Sequence, residues 1–371
     1  MNELAKIDSF SKEVAIAETI EEISQLTLKG EIMAEMAKKL DIPLQGQNKL
    51  GRTRIELTKK LRDVIKVKFP KGGDRKSKSE IRTLKNAGIT KNASSDAKII
   101  KDDEGEIDEV MNELEAQKEV ITPKTVAKKL RVKKKKKQQQ VKQEISNELD
   151  KNVSGENAEI DINKGWYKIG NQFLYYGSNL DVEFLKFLPK NISFAFADPP
   201  YNAGVADWDN NFKWKHDYLI DLAGIVAVTP GGWNAFNFYQ ETKMNYQWEM
   251  CCWIKNGMTH GRCGFSNFIK TSIFSNKKVK IEQDFWSITI KINETHETDH
   301  KGRKPYDFMI HLIDMFSNEN DNIIDVFAGS GTTLLVSEKM NRVSYNAEIS
   351  EDYIKEILNR CLLEGMKYEQ L

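Results

Sequence analysis

The sequence lacks any long apolar run, which excludes an ordinary membrane-spanning helix. No stretch of the 371 residues approaches the ~18 consecutive apolar residues that a bilayer span requires. Residues 1–18 contain no basic segment followed by an apolar run, so a secretory signal is not expected. We therefore expect a cytoplasmic protein with no membrane association.

Cysteine is also scarce. The four cysteines, Cys251, Cys252, Cys263 and Cys361, fit no zinc-ligand spacing and are too few for a dense disulfide framework. We expect them to be reduced thiols.

The chain has little net charge, yet the charge is unevenly distributed. The formal net charge is +1, whereas residues 51–100 carry 15 basic and 5 acidic side chains. A local excess of this size is a suitable electrostatic footprint for a phosphate backbone. The alternative interpretation is an ordinary solvated helical surface.

The first third of the chain has helical patterns. Residues 13–40 and 52–69 place apolar residues at helical spacing, and residues 77–100 and 111–131 each have the rhythm of two short helices around a turn. Pro123 is expected in the first turn of a helix. Such helix pairs are compatible with a helix-turn-helix-like element and with an ordinary helical bundle.

The composition changes twice further along the chain. We interpret residues 1–131 as a basic helical accessory region and residues 132–162 as a charged linker, flexible or helical, whose lysine run is available for phosphate contact. From Trp166 onward, short apolar runs alternate with helical patterns, and one of these strand-like runs is GGWNAFNFY at 231–239. Residues 163–371 are therefore predicted to form an α/β domain with a mostly parallel sheet.

The segment ISFAFADPPYN, residues 192–202, contains the first set of candidate site residues. An apolar strand runs into Asp198, Pro199, Pro200 and Tyr201, at the end of the strand where open α/β sheets bind ligands. Methylation of an aromatic amine needs groups of this kind. The amine is a poor nucleophile until acceptors hold its N–H hydrogens, because its lone pair is delocalised into the ring. Asp198 and the Pro199 carbonyl could accept them, and Tyr201 could stack on the ring. The alternative is a turn that only ends the strand.

A glycine-rich loop within residues 322–340 contains the second set. A buried-type strand runs into the loop and then into a helix, which brings a ligand close to backbone amides. The loop matches neither the phosphate loop nor the full dinucleotide fingerprint. Gly329 and Gly331 leave room for a small zwitterion whose carboxylate could accept from nearby hydroxyl groups, those of Ser330, Thr332 and Thr333.

Glu348 ends the next predicted strand, in RVSYNAEIS at 342–350. An acid at this place in the fold suits the two ribose hydroxyls of a nucleoside. Alone, Glu348 would be interpreted as the neighbour of a helix N-cap. Together with the glycine loop, it predicts a ligand that contains a nucleoside.

Three blocks of the sequence together resemble the β-class DNA amino-methyltransferases: ADPPYN at 197–202, KPYDFMIHLI at 304–313, and the glycine loop with its following acid. The resemblance spans about residues 165–365 and includes the order of the blocks, since the tetrad precedes the cofactor loop in this family, a circular permutation relative to other classes. It implies a Rossmann-like methyltransferase sheet, S-adenosylmethionine as cofactor, DNA as partner and no metal. It also implies direct methyl transfer to a flipped base. Dimers are common in the family, so a homodimer and a restriction partner are open expectations.

The resemblance also implies roles for individual residues. The flipped base is implied to contact Asp198, Pro199, Pro200 and Tyr201. The implied cofactor contacts come from the glycine loop, the ribose acid and the block before the loop: Asp325, Phe327, Ala328, Gly329, Ser330, Gly331, Thr332, Thr333, Glu348, Lys304 and Pro305.

The chain departs from the family pattern in two places. The family often has Gly-Asp-Ser upstream of the tetrad, whereas this chain reads YYGSNLD at 175–181, with Ser178 in place of the acid that contacts the cofactor's adenine. Asp181 or Asn179 could substitute for it. Val326 stands where proline is often found, which is a minor difference.

Target recognition has little room in the α/β domain. The interval between Tyr201 and Pro305 must hold three strands with their helices, so a recognition insert there would be small. Its loops offer three aromatic residues and two basic ones: Trp208, Phe212, Trp214, His260 and Arg262. The N-terminal region, which is similar to helical segments fused to some enzymes of this type, is therefore expected to contribute to DNA binding.

The expected activity is site-specific methylation of adenine at N6 in DNA, and two alternatives remain open. Methylation of cytosine at N4 uses the same tetrad logic, although a serine in place of Asp198 would have favoured it. A DNA-binding regulatory protein with an inactive methyltransferase fold is the alternative from a different class, against which the intact tetrad, loop and ribose acid argue.

Overall fold

The computed structural model describes residues 3–68, 91–100, 104–151, 160–201, 212–257, 259–260, 264–265, 267–290 and 303–371. The chain folds as two compact units, Met1–Gln139 and Gln140–Leu371. The basic stretch at 69–90, most of the predicted helix pair at 77–100, Trp208, Arg262 and Cys263 lie outside the described residues.

The described part of the first unit is helical. Its elements are α1 Glu3–Ile16, α2 Ile20–Lys39, α3 Leu44–Lys68, α4 Lys91–Ile99, α5 Glu104–Ala116 and the beginning of α6, Pro123–Lys151. The helical pattern at 13–40 belongs to two helices, because Thr19 and Glu22 form a capping box that begins α2 anew. The Glu22 amide donates to the Thr19 hydroxyl at 3.2 Å, and the Thr19 amide donates to the Glu22 carboxylate at 3.1 Å.

Two apolar clusters stabilise this unit. Phe10, Ile23 and Leu61 are buried in the first, where α1, α2 and α3 pack together. The second joins Ile55 of α3 to residues of α5 and α6, including Leu114. Pro123 is the first residue of α6, as predicted. Since α6 continues to Lys151, the predicted linker at 132–162 is helical up to that residue.

The second unit is an α/β fold with a large sheet. Its strands are β1 Gly165–Ile169, β2 Gln172–Tyr176, β3 Ile192–Ala197, β4 Ala223–Val228, β5 Tyr246–Ile254, β6 Thr259–His260, β7 Gly264–Phe265, β8 Phe268–Phe274, β9 Phe285–Ile288, β10 Asn322–Asp325, β11 Val343–Glu348 and β12 Tyr368–Gln370. Its helices after α6 are α7 Val182–Phe187, α8 Leu219–Leu222, α9 Gly231–Glu241, α10 Tyr306–Phe316, α11 Thr332–Lys339 and α12 Glu351–Leu363.

Ten strands form the large sheet, in the order β12-β1-β2-β11-β10-β3-β4-β8-β5-β9. The five central strands, from β2 to β4, are mutually parallel, whereas β1, β12 and β8 pair antiparallel with their neighbours. This is the predicted mostly parallel sheet. The carboxyl ends of β3, β10, β11 and β4 consequently meet at one edge.

Both faces of the sheet are covered. Side chains alternate along β3, so Phe194 and Phe196 pack in one apolar cluster while Ala195 and Ala197 pack in the other. The first cluster includes α10, α11 and α12, whose residues Phe308, Leu335 and Ile357 are fully buried. None of the helices in the described part of the chain is long and apolar enough to cross a membrane.

The strand predicted at 231–239 is wrong. These residues begin α9, and the strand at this place in the fold is the preceding AGIVAV run, β4. Gly231 has a φ of 69° directly after Pro230 and turns the chain from strand to helix. Phe238 is then buried while Phe236 is 71% exposed, a division that suits one face of a helix.

The described cysteines are free thiols, as predicted. Burial raises the pKa of Cys252 and of Cys361 to about 12. At physiological pH both groups are therefore protonated, and they behave as small apolar side chains in the core.

Candidate active site

Three acids lie at the carboxyl ends of neighbouring parallel strands. Asp198 follows β3, Asp325 is the last residue of β10 and Glu348 is the last residue of β11. A cavity of about 560 Å³ opens at this edge, and all three acids line it. The fold thus brings together the two candidate sets that the sequence places far apart in the chain.

Asp198 is held by three donors. The Tyr201 hydroxyl donates to its Oδ1 at 2.5 Å, and the Thr229 hydroxyl donates to the same oxygen at 2.5 Å. The ammonium of Lys304 contacts Oδ2 and also donates to the Tyr201 hydroxyl at 2.9 Å. Both carboxylate oxygens therefore accept from donors of the protein itself.

The protonation states in this cluster follow from burial and charge. Burial, together with the neighbouring Asp198 carboxylate, raises the pKa of Tyr201 to about 12, so its hydroxyl stays a donor. Burial alone would lower the pKa of Lys304, but Asp198 and Tyr201 hold it above its ordinary value. Lys304 is thus a permanent cation beside Asp198, whereas the sequence predicted it as a cofactor contact.

The turn after β4 shapes the position of Tyr201, a role that sequence reasoning missed. A Cβ atom on Gly231 would lie 2.6 Å from two carbon atoms of the Tyr201 ring. Only glycine leaves room for the ring there, and its positive φ of 69° also favours glycine. Thr229 in the same turn supplies a hydroxyl to Asp198. In the sequence, Gly231 and Thr229 are recognisable only as residues that are typical of a turn.

The glycine loop is organised around Asp325. Its Oδ1 accepts from the Phe327 amide at 3.0 Å and its Oδ2 accepts from the Thr333 hydroxyl at 2.5 Å. Burial raises the pKa of Asp325 to about 7. The Thr333 hydroxyl is thus engaged with Asp325, and the Thr332 hydroxyl donates to the Lys304 carbonyl at 3.2 Å.

Glu348 is joined to the same loop by backbone hydrogen bonds. Its Oε2 accepts from the Gly329 amide and its Oε1 from the amides of Ile349 and Ser350, each at 2.8 Å. Burial raises its pKa despite these donors. Oε2 accepts only one of these three bonds and keeps lone-pair capacity, so Glu348, which lines the cavity, can accept from a further hydroxyl group.

Most of the predicted cofactor contacts line the cavity: Asp325, Phe327, Ala328, Gly329, Ser330, Thr332, Thr333, Glu348 and Lys304. Two others lie behind it. Gly331, with a φ of 79°, is the N-cap of α11, where a Cβ would lie 2.9 Å from Ile357. Pro305 is buried as the N-cap of α10.

Arg360 supports the loop from α12 and was missed in the sequence. It is 7% exposed; its Nη1 donates to the Ser330 carbonyl and its Nη2 donates to the Tyr306 hydroxyl at 2.6 Å. Arg360 lies in the helical pattern that follows Glu348, and helix periodicity assigns such a residue only to one face of its helix. The contact that matters depends on how α12 packs on the loop.

Asn179 and its neighbours also line the cavity that the glycine loop lines. The Asn179 side-chain amide donates to the Val326 carbonyl at 2.6 Å, and its Oδ1 lies 2.8 Å from His216 Nε2. Burial lowers the pKa of His216 to about 4, so the ring is neutral. Asn179 and Ser178 line the cavity, whereas Asp181 instead accepts from the Ser178 amide at 3.0 Å.

Of the loop aromatics predicted for target recognition, one is buried in the core and another lines the cavity. Trp214 is 7% exposed and packs edge-on against Phe238. Phe212 lines the cavity and contacts Phe327 edge-on.

The chain has clear relatives. The family model of the N6/N4 methyltransferases, described as DNA methylase, matches residues 225–359, from within β4 to within α12. The Type II methyltransferase M2.LlaDCHI of Lactococcus lactis subsp. cremoris is 24% identical over 260 residues, which cover 56% of this chain and 95% of the relative. M1.MboII of Moraxella bovis is 23% identical over 228 residues, 45% of this chain and 88% of the relative.

Residues 225–359 are thus similar to the N6/N4 DNA methyltransferases, and both relatives are Type II methyltransferases. Among solved structures, the M1.HpyAVI–SAM complex is similar, with a TM-score of 0.41 and 18% identity, covering 50% of this chain and 98% of that chain. S-adenosylmethionine, predicted from the sequence, is the methyl donor of this family. Residues 198–201 of the enzyme precede the matched range.

Proposed function

We propose that the enzyme methylates the N6 amino group of adenine in DNA, with residues 198–201 as the base-binding site. The observation that carries this proposal is the Asp198 carboxylate, which lies in the same cavity as the glycine loop. An aspartate here, in place of a serine, favours adenine over cytosine. Asp198 and the Pro199 carbonyl accept the two amino hydrogens, which directs the nitrogen lone pair toward the methyl donor.

Entry of the base requires a change at Asp198. The Tyr201 and Thr229 hydroxyls both occupy Oδ1, and Lys304 occupies Oδ2. We propose that the amino group displaces the Tyr201 hydroxyl, which frees one of the two acceptor positions of Oδ1, beside Thr229, and exposes the ring for stacking on the base. Stacking of a base on an aromatic ring is worth about 1–3 kcal/mol, which offsets part of the cost of flipping.

The residues of the cavity suit S-adenosylmethionine. A volume of about 560 Å³ is typical of a pocket for a ligand of this size. The bound cofactor supplies an electrophilic methyl group. We propose that the Glu348 carboxylate accepts from its ribose hydroxyls, that the buried Asp325 carboxylate faces its ammonium group, and that the loop amides and Ser330 face its carboxylate. Asn179 and Ser178 replace the acid that is absent upstream of the tetrad.

Lys304 has a different proposed role from the one that the sequence indicated. As a cation in contact with Asp198 Oδ2, it orients this carboxylate in the site. The positive charge that develops on the amino nitrogen faces the same carboxylate, so positioning and charge together supply the catalysis.

Methyl transfer to unmethylated DNA tests the proposal. The full chain is incubated with DNA and labelled S-adenosylmethionine, and the digested nucleosides are separated by mass spectrometry. We expect N6-methyladenine from the wild type and from Asp221→Asn, an exposed acid away from the cavity, and no product from Asp198→Ala, which should still bind the cofactor. N4-methylcytosine as the product would overturn the adenine assignment. DNA binding without methyl transfer by the wild type would favour the regulatory alternative.

A further inference from the structure

Helix α6 contains a lysine segment, residues 133–137, in which no residue is buried. Between Leu130 and Ser146 no residue of α6 is buried. A helix that is polar and solvated on all sides is not held by an apolar face. The five consecutive lysines therefore lie on a solvated part of the helix, where a large partner can reach them.

The register of α6 shows that the lysine segment replaces a core-facing stripe. Val126 and Leu130 are buried in the core of the first unit. Lys134 and Lys137 follow Leu130 by four and seven residues, which keeps them on the same side of the helix. The ammonium groups of these lysines favour a polar and anionic occupant on this face.

Only part of the charge in the segment is neutralised. The ammonium of Lys133 pairs with Glu113 at 2.7 Å and with Glu109 at 3.1 Å. In the described part of the chain, the other four lysines of the segment form no ion pair. Like charges three or four residues apart destabilise a helix by about 0.2–0.5 kcal/mol per pair. Binding of a polyanion would remove this repulsion.

We infer that the lysine segment is a binding surface for the phosphate backbone of the DNA substrate. The inference rests on the proposed function, which supplies DNA as the polyanion. The segment rises by about 6 Å, and duplex DNA carries one charge per ~1.7 Å of its axis, so several phosphates lie within reach of the ammonium groups. Phosphate contacts carry no sequence information, so the segment contributes affinity and leaves target choice to other residues.

The salt dependence of DNA binding tests this inference in the full chain. The test variant replaces Lys134, Lys135, Lys136 and Lys137 by glutamine, which is a good helix former and leaves Lys133 with its glutamates. The matched control removes four exposed lysines elsewhere in the same unit: Lys38, Lys39, Lys98 and Lys118. Binding of a fluorescent unmethylated duplex is measured over a range of salt concentrations, and circular dichroism checks helix content.

Each phosphate contact contributes about 0.9 to the slope of log affinity against log salt concentration. We expect the magnitude of this slope to be smaller than in the wild type by about 2 or more for the test variant. For the control it should be smaller by about 0.9 or less. Equal slopes for the two variants would overturn the inference, because the loss would then reflect net charge alone. A wild type that binds DNA without methylating it would contradict the proposed function and leave this comparison valid.

Discussion

At the scale of single residues, Gly231 is the position with the clearest consequence for the site. Its missing side chain is the space that the Tyr201 ring occupies, and its φ is positive. Both features penalise any other residue. Gly365 provides a way to separate them, since its φ is 75° and a Cβ there would have nothing within 4 Å.

Gly231→Ala should therefore disrupt the site as well as the backbone. We expect Gly231→Ala and Gly365→Ala each to lower the free energy of unfolding by about 1–2 kcal/mol, because alanine is strained at these dihedral angles. Only Gly231→Ala should reduce methyl transfer, by at least ~10-fold, because it displaces Tyr201. Chemical denaturation and kcat measure the two effects. A Gly231→Ala enzyme with wild-type kcat would show that Tyr201 needs no fixed position.

Asp325 should make stability depend on pH. Its pKa is raised by burial from 3.8 to about 7, so the folded chain binds a proton more tightly than the unfolded chain does. The stabilisation from this proton is fully present below pH ~4 and is lost as the pH rises through about 7. We expect the free energy of unfolding of the wild type, relative to Asp325→Asn, to fall between pH 4 and pH 7. A constant difference over this range would contradict the raised pKa.

At the scale of elements, α12 supports the glycine loop through Arg360. Removing its donors leaves the Ser330 carbonyl and the Tyr306 hydroxyl without this partner. Arg342 offers a matched control, because it is also 7% exposed and donates to two carbonyl oxygens, those of Met340 and Ser317.

We expect Arg360→Met and Arg342→Met each to cost about 1–3 kcal/mol of stability, because each removes two hydrogen bonds to buried acceptors. Arg360→Met alone should weaken cofactor binding, by roughly 10-fold, because 1.4 kcal/mol of lost positioning corresponds to that factor. Titration calorimetry with S-adenosylmethionine distinguishes the two variants. Equal cofactor affinities would show that the loop keeps its shape without α12.

Two of the elements that the sequence predicted correctly end in candidate site residues. The β3 strand with Asp198 and the β10 strand with its glycine loop are contiguous in the chain, so local pattern and motif agree. Helix α9 was mistaken for a strand because its aromatic residues have strand propensity, and tertiary packing of Phe238 decided otherwise. Arg360 and Thr229 could not be assigned, because their contacts join segments distant in sequence.

At the scale of the whole molecule, each unit has its own core. Every residue of the two apolar clusters around the sheet lies within Gln140–Leu371, and the two clusters of the helical unit lie within Met1–Gln139. The sheet therefore needs no side chain of the helical unit to bury its apolar faces.

A fragment comprising Gln140–Leu371 should fold and bind S-adenosylmethionine with an affinity within about threefold of the full chain, which corresponds to less than 1.4 kcal/mol. Its affinity for duplex DNA should be lower, because it lacks the lysine segment and the basic stretch at 51–100. Calorimetry and a duplex-binding assay measure the two affinities. Loss of cofactor binding in a folded fragment would contradict the independence of the units.

The strand order of the sheet has a consequence for how the chain is made. Strands β2 and β3 leave the ribosome one after the other, but their places in the sheet are separated by β11 and β10, which are translated more than a hundred residues later. At ~5–20 residues per second, the interval is on the order of 10 s. During that time two hydrogen-bonding edges remain bare and can pair with other nascent chains. Yield during expression should accordingly depend on chaperones and on temperature more than the stability of the finished enzyme would suggest.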